Sequence, residues 1–317
     1  MRRDLRSLLA CPACHGDLSG WRDDRDDCEL RCVACAASYP VRDGIPILLP
    51  PDFDATHVHD ELDHAHDAHK RRQASYFDHD VAEAFEIARP HGAPEAYRWI
   101  LEEKFRRSVS RLPDLRGATV VDACAGSGMD AEMLERAGAA VIAVDIAEGC
   151  ARRARERAKR RSLDYLVVVG DVERLPMKAR AVDVAYVHDG LHHLDDPLSG
   201  VRELARVARR GVSINEPADA LATRIGVRVG LAIAYEGAGN RVARLRAADV
   251  ERELRAHGFD AESARYLAYY RHEPGAFMRA ASLPVAMTAY RTAVRGANAA
   301  VGRWGNKLQV TALRRAA

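Results

Sequence analysis

The stretch 118–149, "ATVVDACAGSGMDAEMLERAGAAVIAVDIAEG", decides the fold of this chain. A β-rich run ends at Asp122, a loop of small residues and a helical segment follow, and a second β-rich run ends at Asp145. Because Gly126 and Gly128 lack a Cβ atom, a ligand can approach the backbone at the helix N-terminus, where N–H groups are unpaired. The stretch therefore predicts a βαβ unit with a nucleotide-type binding site.

Residues 116–317 continue to alternate short β-rich runs with amphipathic segments. The runs that follow the βαβ unit read YLVVVGD, VDVAYVHDG and GVSINEP. Such alternation predicts a parallel sheet covered by helices, within one α/β domain. Two helical insertions are expected in this domain, near residues 217–245 and 274–304.

The first third of the chain has a different character. Residues 1–51 contain two pairs of cysteines and end in the apolar run IPILLPP, so they are expected to form a small module. Residues 52–115 open with the histidine-rich segment THVHDELDHAHDAHK. They then become helical, with an apolar residue at every fourth position from Tyr97 to Val109. A His-rich linker and leading helices are therefore expected between the two domains.

Composition limits the kinds of protein that this chain can be. A length of 317 residues with 48% hydrophobic residues is enough for a full-sized core and a small second module. The formal net charge of +2 provides no overall attraction to nucleic acid or to anionic lipid. The sequence contains neither a long uncharged apolar run nor a secretion signal, which predicts a cytoplasmic protein without a membrane partner.

Four of the seven cysteines form the pattern C-x2-C-x17-C-x2-C, from Cys11 and Cys14 to Cys32 and Cys35. This spacing is typical of four-thiolate zinc sites, in which each C-x2-C pair curls around one tetrahedral ion. With four protein ligands no position stays open, so the metal is expected to be structural. It would add folding free energy to a module of ~50 residues that can bury little apolar surface. Cys28 is left outside the site.

The segments LLACPACHGDLS and ELRCVACAASYPVRDGIPILLP resemble the zinc-ribbon family that includes the activator subunit of tRNA and translation-factor methyltransferases. The tail from Tyr39 to Pro50 is the most specific part of this resemblance, which covers about the first fifty residues. It suggests that the neighbouring domain is a methyltransferase.

NAD and S-adenosylmethionine are the two candidate ligands of the glycine loop. The residues from Gly126 to Ala131 can be aligned with the dinucleotide pattern, and Asp145 would then hold the ribose of NAD. The acids favour S-adenosylmethionine instead. Asp122 directly precedes the loop, where a carboxylate would attract a methionine ammonium group but repel a pyrophosphate. Asp171 ends the next β-rich run, where it can accept a hydrogen bond from an adenine amino group.

Together these features resemble the class I S-adenosylmethionine-dependent methyltransferases, over about Arg116 to Arg314. The resemblance implies a doubly wound, mostly parallel, seven-stranded Rossmann-like sheet with a small N-terminal zinc ribbon. The implied cofactor-binding residues are Asp122, Ala123, Cys124, Gly126, Gly128, Asp145, Ile146, Asp171, Val172 and His188. One departure is Cys124, because the family pattern D-x-G-x-G-x-G has glycine at that position.

Four residues after the fourth and fifth β-rich runs are candidates for a catalytic base: His188, His192, His193 and Glu216. They are expected at the edge of the sheet where open α/β folds bind ligands. Because the sulfonium already activates the methyl group, a base is needed only if the acceptor must lose a proton. Each of the four also has a structural interpretation, such as capping a helix or fixing a turn, and their order in the sequence does not choose among them.

Two further charged segments have competing interpretations. The histidine cluster contains His57, His59, His64, His66 and His69. It can bind a metal, although such tracts are more often solvated linkers. The segment Ala151–Arg161 has seven basic residues and one acid, and is interpreted as an exposed helix face or, as the less favoured alternative, an RNA contact.

These patterns predict an S-adenosylmethionine-dependent methyltransferase that acts on a small or medium-sized metabolite. One alternative is an RNA or translation-machinery methyltransferase, and another is a zinc-dependent interaction module whose methyltransferase domain binds cofactor without turnover. Nucleic acid is not the favoured partner, because residues 1–50 carry a net charge of −1 before zinc and its thiolates are counted. An apolar stripe from Met287 to Trp304 is expected either to line an acceptor pocket, to extend the core, or to form a homodimer contact.

Overall fold

The computed structural model describes residues 4–22, 26–50, 53, 63–79, 83–230, 235, 242–270 and 273–315, without the side chains of residues 63–67 and 222. The described residues contain one sheet of eleven strands. The strands are β1 Leu18–Ser19, β2 Cys28–Cys32, β3 Ser38–Arg42, β4 Ile45–Leu48, β5 Thr119–Ala123, β6 Ala140–Asp145, β7 Leu166–Gly170, β8 Val182–His188, β9 Ala208–Pro217, β10 Phe259–Tyr266 and β11 Lys307–Arg314.

Ten α-helices accompany these strands in the part of the chain that the structure describes. They are α1 Asp63–Asp78, α2 Glu83–Ala88, α3 Glu95–Val109, α4 Met129–Arg136, α5 Glu148–Arg161, α6 Pro197–Val207, α7 Leu221–Arg228, α8 Ala247–Ala256, α9 Ala276–Ala281 and α10 Pro284–Val301. Within the described residues, no helix has the length and apolar character needed to cross a bilayer.

Seven of the strands form the predicted α/β domain, in the order β7-β6-β5-β8-β9-β11-β10. The first five are parallel to one another, and β11 is antiparallel to both of its neighbours. The prediction of a mostly parallel, doubly wound sheet is confirmed. In such a sheet the strand order reverses beside the first strand, here β5, and this position is where open α/β folds bind ligands.

The zinc ribbon extends this sheet at its other edge. Strand β4 pairs in parallel with β7, so that Ile47 lies opposite Val169 and Leu48 opposite Gly170. The sheet therefore has eleven strands, four of which come from the ribbon. The sequence predicted the apolar run IPILLPP as the end of the module, but it did not predict this pairing, because strand partners far apart in sequence leave no local pattern.

The core lies on both faces of the parallel strands. Along β5, Val121 packs into the apolar cluster on one face of the sheet, whereas Val120 packs into the cluster on the opposite face. Neighbouring residues alternate in this way because successive side chains of a strand point to opposite faces. Burial on both sides explains why β5 and β8 read as nearly continuous apolar runs.

Candidate functional site

The four predicted thiol ligands meet at one point of the ribbon. Their sulfur atoms all lie within 4.8 Å of one another. The Sγ atoms of Cys11 and Cys35 are 3.7 Å apart, and those of Cys14 and Cys32 are 3.4 Å apart. Tetrahedral zinc with Zn–S bonds of about 2.3 Å separates its sulfurs by about 3.8 Å. The thiols therefore have the number, chemistry and spacing of a structural zinc site, and Cys28 lies outside it.

The glycine loop connects β5 to α4 through residues with left-handed backbone conformations. Cys124, Gly126 and Gly128 have φ values of 55°, 54° and 76°. Gly128 is also required for packing, since a Cβ atom there would lie 2.6 Å from the hydroxyl of Tyr165. The loop thus turns sharply into the helix, as the sequence predicted. Its N–H groups at Ala125, Gly126 and Gly128 are already paired within the protein, with Val144, Asp145 and Ala125.

Asp145, at the end of β6, is tied to this loop. One carboxylate oxygen accepts the N–H of Gly126 at 2.8 Å, and the other accepts the N–H of Ala147 at 3.0 Å. Burial raises the pKa of Asp145, against the effect of these two donors. Each oxygen keeps a second lone pair, so the carboxylate can still accept hydrogen bonds from a ribose.

Asp122, at the end of β5, is only 1% exposed. Its Oδ2 atom is buried and has no hydrogen-bond partner among the described residues. Burial and the neighbouring carboxylates of Asp130 and Asp145 raise the pKa of Asp122 well above its usual range. A buried acceptor of this kind would be stabilised by a cationic ligand group. Asp122 therefore favours a nearby cationic group, although its side chain is buried rather than part of the cavity lining.

A cavity of about 610 Å³, partly continuous with solvent, lies above the carboxyl ends of β5, β6 and β7. Six predicted site residues line it: Cys124, Asp145, Ile146, Asp171, Val172 and His193. The lining does not include Asp122, Ala123, Gly126, Gly128, His188, His192 or Glu216.

Helix α1 lies against this cavity. Lys70 places its Nζ atom 2.6 Å from a carboxylate oxygen of Asp171 and 2.6 Å from one of Glu173. His69 donates from Nε2 to the carbonyl oxygen of His193 at 2.7 Å, and the ring of Phe77 meets the ring of His193 edge-on with centroids 5.3 Å apart. A segment predicted as a linker thus supplies several of the residues that contact the site.

The sequence contains one signal for this role of α1. Lys70, Ala74 and Phe77 follow helical spacing, and Ala74 is buried. The surrounding histidines hide that short pattern. Of the histidine cluster only His69 belongs to the described side chains, whereas His57, His59, His64 and His66 lie outside them.

The candidate bases have different surroundings. Glu216 is fully buried, and one of its oxygens accepts the N–H groups of Gly190 and Leu191 at 2.7 Å each. Its other oxygen accepts from Nδ1 of His192 at 2.8 Å. Glu216 therefore holds the loop after β8 in place. Among the four candidates, only His193 lines the cavity.

His188, the last residue of β8, forms a buried pair with Asp130. Its Nδ1 donates to Asp130 Oδ2 at 3.0 Å. Burial and Lys104 disfavour a charged ring, but Asp130 and Asp189 outweigh them and raise the pKa of His188. The ring is therefore stabilised as an imidazolium within a charged cluster rather than directed into the cavity.

That cluster is centred on Asp189, whose φ is 51°. Its carboxylate lies 2.6 Å from the ammonium groups of both Lys104 and Lys307, and it accepts from the hydroxyl of Tyr270 at 2.8 Å. Burial alone would raise the pKa of Asp189, but the two lysines hold it well below its usual range. The sequence did not predict this cluster, because its members come from separate parts of the chain.

A second group of potential metal ligands lies at Asp189. Donor atoms of Asp189, His192 and Glu216 lie within 4.8 Å of one another. However, the two lysine ammonium groups on Asp189 would repel a cation, and Glu216 already accepts three hydrogen bonds. These residues form a structural network.

The arginine-rich helix α5 differs from its sequence interpretation. Arg153 and Arg157 are buried, at 5% and 0% exposure, rather than part of a solvated face. Arg157 donates to the carbonyl of Ser127 at 2.8 Å, to that of Arg89 at 2.6 Å, and to Glu132 at 3.1 Å. The helix therefore fastens the glycine loop and the leading helices together. Buried guanidinium groups make these connections through several acceptors, and the number of charges in the sequence does not predict which arginines are buried.

The apolar stripe of α10 divides between two environments. Met287 is buried, and Tyr290 packs edge-on against Trp99 of α3 with centroids 5.6 Å apart. Val301 and Trp304 remain 42% and 45% exposed. The first half of the stripe extends the core, and none of it lines the cavity.

Comparison with known proteins agrees with this architecture. Residues 121–215 match the family described as "Methyltransferase domain", and residues 2–44 match the family described as "Trm112p-like protein". A UPF0434 protein of Azotobacter vinelandii is 44% identical over 59 residues, which are 19% of this chain and 92% of that protein. The first relationship covers the glycine loop and its acids, and the second covers the ribbon.

The remaining similarity is partial. A demethylmenaquinone methyltransferase of Corynebacterium kroppenstedtii is 34% identical over 101 residues, which are 32% of this chain. The chain spans 42% of the length of that relative. Among solved structures, magnesium protoporphyrin IX methyltransferase of Synechocystis PCC 6803, with bound S-adenosylhomocysteine, has a TM-score of 0.53 at 18% identity, covering 78% of this chain and 100% of that chain. This last likeness concerns the fold.

The two matched families occupy different parts of the same sheet, with the ribbon on one edge and the glycine loop beside the central strand. The chain belongs to the Trm112p-like family through its N-terminal zinc ribbon and carries a class I methyltransferase domain behind it.

Proposed function

We propose that this protein is an S-adenosylmethionine-dependent methyltransferase that acts on a small or medium-sized metabolite. The observation that carries the proposal is the convergence of Cys124, Asp145 and Asp171 on one cavity. These residues follow or end three neighbouring parallel strands, at the edge where open α/β sheets bind ligands.

Each acid has a distinct partner in this proposal. Asp145 accepts the ribose hydroxyls, and Asp171 with Val172 holds the adenine. Asp122 is buried behind the cavity and favours the ammonium group through its charge rather than by lining the cavity. Lys70 shares Asp171 with the adenine, because its ammonium group already lies 2.6 Å from that carboxylate. S-adenosylmethionine supplies a methyl group that its sulfonium has already activated.

The chain's own residues then align the acceptor and exclude water. Helix α1 contributes Phe77 and His69 to one wall of the cavity. Opposite, Gly190 leaves room for the side chain of Cys124, since a Cβ atom at position 190 would lie 2.3 Å from Cys124 Cβ. The family's glycine at position 124 is thus replaced by cysteine without a clash.

His193 is the proposed base for acceptors that must lose a proton. It is the one candidate of the four that lines the cavity, where it lies near Cys124 and Leu194. Glu216 and His192 act as positioning residues, because their side chains hold the loop that carries His193. His188 instead belongs to the charged cluster around Asp189 and stabilises it.

The acceptor is proposed to be largely apolar. Ile146 and Val172 are assigned to the cofactor, whereas Phe77 and Leu194 give an apolar wall beside His193 for the acceptor. RNA is the second candidate acceptor, favoured by the match of the ribbon to the Trm112p-like family. The cavity therefore favours an apolar metabolite as the acceptor, whereas the family of the ribbon favours RNA.

Transfer of labelled methyl groups tests these expectations. The full chain is incubated with methyl-labelled S-adenosylmethionine and a cell extract, which is then separated into small-molecule, RNA and protein fractions. We expect label in small molecules and at least about a hundredfold slower transfer by His193→Gln with unchanged cofactor affinity. Label in RNA would favour the second candidate. Tight cofactor binding without transfer to any fraction would contradict the enzymatic proposal.

A further inference from the structure

Exposed apolar side chains are concentrated in the two insertions of the methyltransferase domain. Among the described residues, thirteen large hydrophobic side chains are exposed, and ten of these lie between residues 221 and 304. They are Leu221, Ile225, Val229, Tyr235, Tyr269, Phe277, Leu283, Val285, Val301 and Trp304. Scattered single residues of this kind need no explanation, but such a concentration marks an interaction surface.

Helix α10 is the largest element of this surface. It has 18 residues, of which only Met287 is buried. Exposed apolar side chains lie at both of its ends, with Leu283 and Val285 at the first and Val301 and Trp304 at the last. A helix of this length spans about 27 Å. An apolar helix this exposed is uncommon in a soluble domain unless another surface covers it.

The charges on the second insertion have one sign. Residues 276–304 contain four arginines and no acidic residue, although Arg291 pairs with Glu95 of α3 at 2.7 Å. The first insertion, residues 217–245, contains four arginines and two acidic residues, and Arg224 pairs with Asp219 at 3.1 Å. Arg295 and Arg303 are exposed. Arg303 also lies over the ring of Trp304, at 3.9 Å from its centroid. The exposed apolar side chains are therefore accompanied by cations.

The two insertions arise from the same edge of the sheet. The register of β9, β11 and β10 aligns Pro217 with Lys307 and Lys307 with Tyr266. Strand β9 leads from this edge to α7, β10 leads from it to α9 and α10, and β11 begins there. This is also the edge at which the carboxyl ends of the parallel strands carry the cavity.

Backbone contacts hold the start of the insertions together. Ala218 donates its N–H to the carbonyl of Asn306 at 2.9 Å, and the Asn306 side chain bonds both backbone groups of Ala268. Leu221, Tyr269 and Trp304 each lie within three residues of one of these positions. These three residues therefore follow or precede one group of backbone contacts. We call Leu221, Tyr269, Trp304 and the exposed residues of α10 the insertion patch.

We propose that the insertion patch binds the surface of an anionic lipid bilayer. Arginines next to exposed Leu, Val, Phe, Tyr and Trp side chains are the composition of helices that lie in the membrane interface. The apolar side chains enter the boundary between headgroups and acyl chains, while the arginines contact the anionic headgroups. The exposed rings of Trp304 and Tyr269 are suited to the boundary between headgroups and acyl chains, since they combine apolar and polar parts.

A second copy of the chain fits this surface less well. In a two-fold dimer the same patch would meet itself, so arginines would face arginines without acidic residues between them. A bilayer with anionic headgroups supplies the missing negative charge. Contact of this kind requires no membrane-spanning helix, and it depends on local charge rather than on the net charge of the whole chain.

Sedimentation with lipid vesicles tests the proposal on the full chain. We expect binding to vesicles of phosphatidylglycerol and phosphatidylcholine, weaker binding to phosphatidylcholine alone, and weaker binding as salt rises above about 0.15 M. The double variant Val285→Glu/Arg295→Glu should reduce partitioning at least about tenfold, because it removes an apolar anchor and reverses one cation. Val285 is 91% exposed, so the variant should fold.

The matched control is Val33→Glu/Arg152→Glu. It makes the same chemical changes at exposed positions outside the patch, and Val33 is 72% exposed. The control should bind like the natural protein. Absence of sedimentation, equal loss in both double variants, or salt-independent binding would overturn the proposal. So would a dimer that the patch variant disrupts while vesicles stay unbound. Cofactor affinity should be unchanged throughout, which separates this outcome from failure of the proposed enzymatic function.

Discussion

The ribbon and the central sheet are stabilised by different means. Strands β5 and β8 are almost entirely buried between two apolar clusters. Strands β2 and β3 of the ribbon instead alternate buried and exposed residues, and four thiols converge beside them. The buried ribbon residues Leu30, Tyr39 and Leu48 share the apolar cluster of the central strands, and the four thiols add a metal site as a second source of folding free energy. The comparison teaches that one continuous sheet can depend on two separate sources of stability.

The contacts between these regions combine apolar packing with backbone pairings, because Leu9 and Leu48 of the ribbon lie in the same apolar cluster as Leu175 of the sheet domain. Besides the ladder between β4 and β7, Ala10 donates its N–H to the carbonyl of Pro176 at 2.9 Å, and Lys178 donates to the carbonyl of Leu8 at 3.1 Å. The β4–β7 pairing precedes the turn that carries Asp171, and the hydrogen bonds of Pro176 and Lys178 follow it. The ion pair between Arg42 and Glu148 is exposed and adds little. The ribbon therefore supports the end of the cavity that carries Asp171.

Loss of a zinc ligand should have the largest effect. We expect Cys32→Ser to lose the metal and unfold the ribbon, because structural zinc contributes an apparent free energy of about 10–16 kcal/mol to small zinc domains. Elemental analysis and hydrogen exchange should report loss of zinc and of protection in β2 and β3, while β5 and β6 stay protected. Cys28→Ser is the control, since Cys28 lies outside the site, and it should retain one zinc per chain. Full metal retention by Cys32→Ser would refute the assignment.

A change in the central domain should have a smaller effect. Asp189→Asn leaves the ammonium groups of Lys104 and Lys307 without their counter-charge, and Lys104 is fully buried. Breaking a buried ion pair in this way typically costs about 3–5 kcal/mol. Denaturant unfolding should show this loss. Asn tolerates the left-handed conformation at position 189, so backbone strain is not the cause.

The control for this change is Asp260→Asn. Asp260 forms an exposed pair with Arg315 at 2.8 Å, and such pairs contribute little to stability. We expect a change within about 0.5 kcal/mol. Equal destabilisation by the two variants would contradict the role assigned to the Asp189 cluster.

Coupling between the regions should give the smallest effect. The backbone pairings on both sides of Asp171 should hold this turn in place while the ribbon is folded. Removal of zinc by a chelator should therefore weaken binding of S-adenosylhomocysteine by about fivefold, the lower end of typical coupling between sites. Calorimetry on the same preparation with and without zinc measures this change. Identical affinity in both states, with the ribbon shown to be unfolded, would mean that the two regions are independent.

Local patterns were sufficient to predict the glycine loop, the four thiols and the acids at the strand ends. Gly126, Gly128 and the C-x2-C pairs have short-range spacing that follows from the chemistry of the ligand. For the same reason Asp145 and Asp171 were predicted at the edge that carries the cavity, because parallel strands end on one side of a sheet.

The remaining contacts depend on long-range packing. Lys104 reaches Asp189 across 85 residues of sequence, and Arg157 reaches Glu86 and Arg89 across 71 and 68 residues. Charged residues predict exposure unless a partner is known, and a partner so distant leaves no pattern in a single sequence. Lys70 was hidden for the same reason, because its partners Asp171 and Glu173 are about a hundred residues away.

Calorimetric binding of S-adenosylhomocysteine to Asp145→Ala tests the central claim, that the acid-lined cavity is the cofactor site. The ribose loses an acceptor that contributes about 1.5–3 kcal/mol, so the dissociation constant should rise about ten- to a hundredfold. Asp164→Ala, an exposed acid before β7, should bind like the natural protein. Unchanged affinity in Asp145→Ala, or tighter binding of NAD than of S-adenosylhomocysteine by the natural protein, would contradict the account.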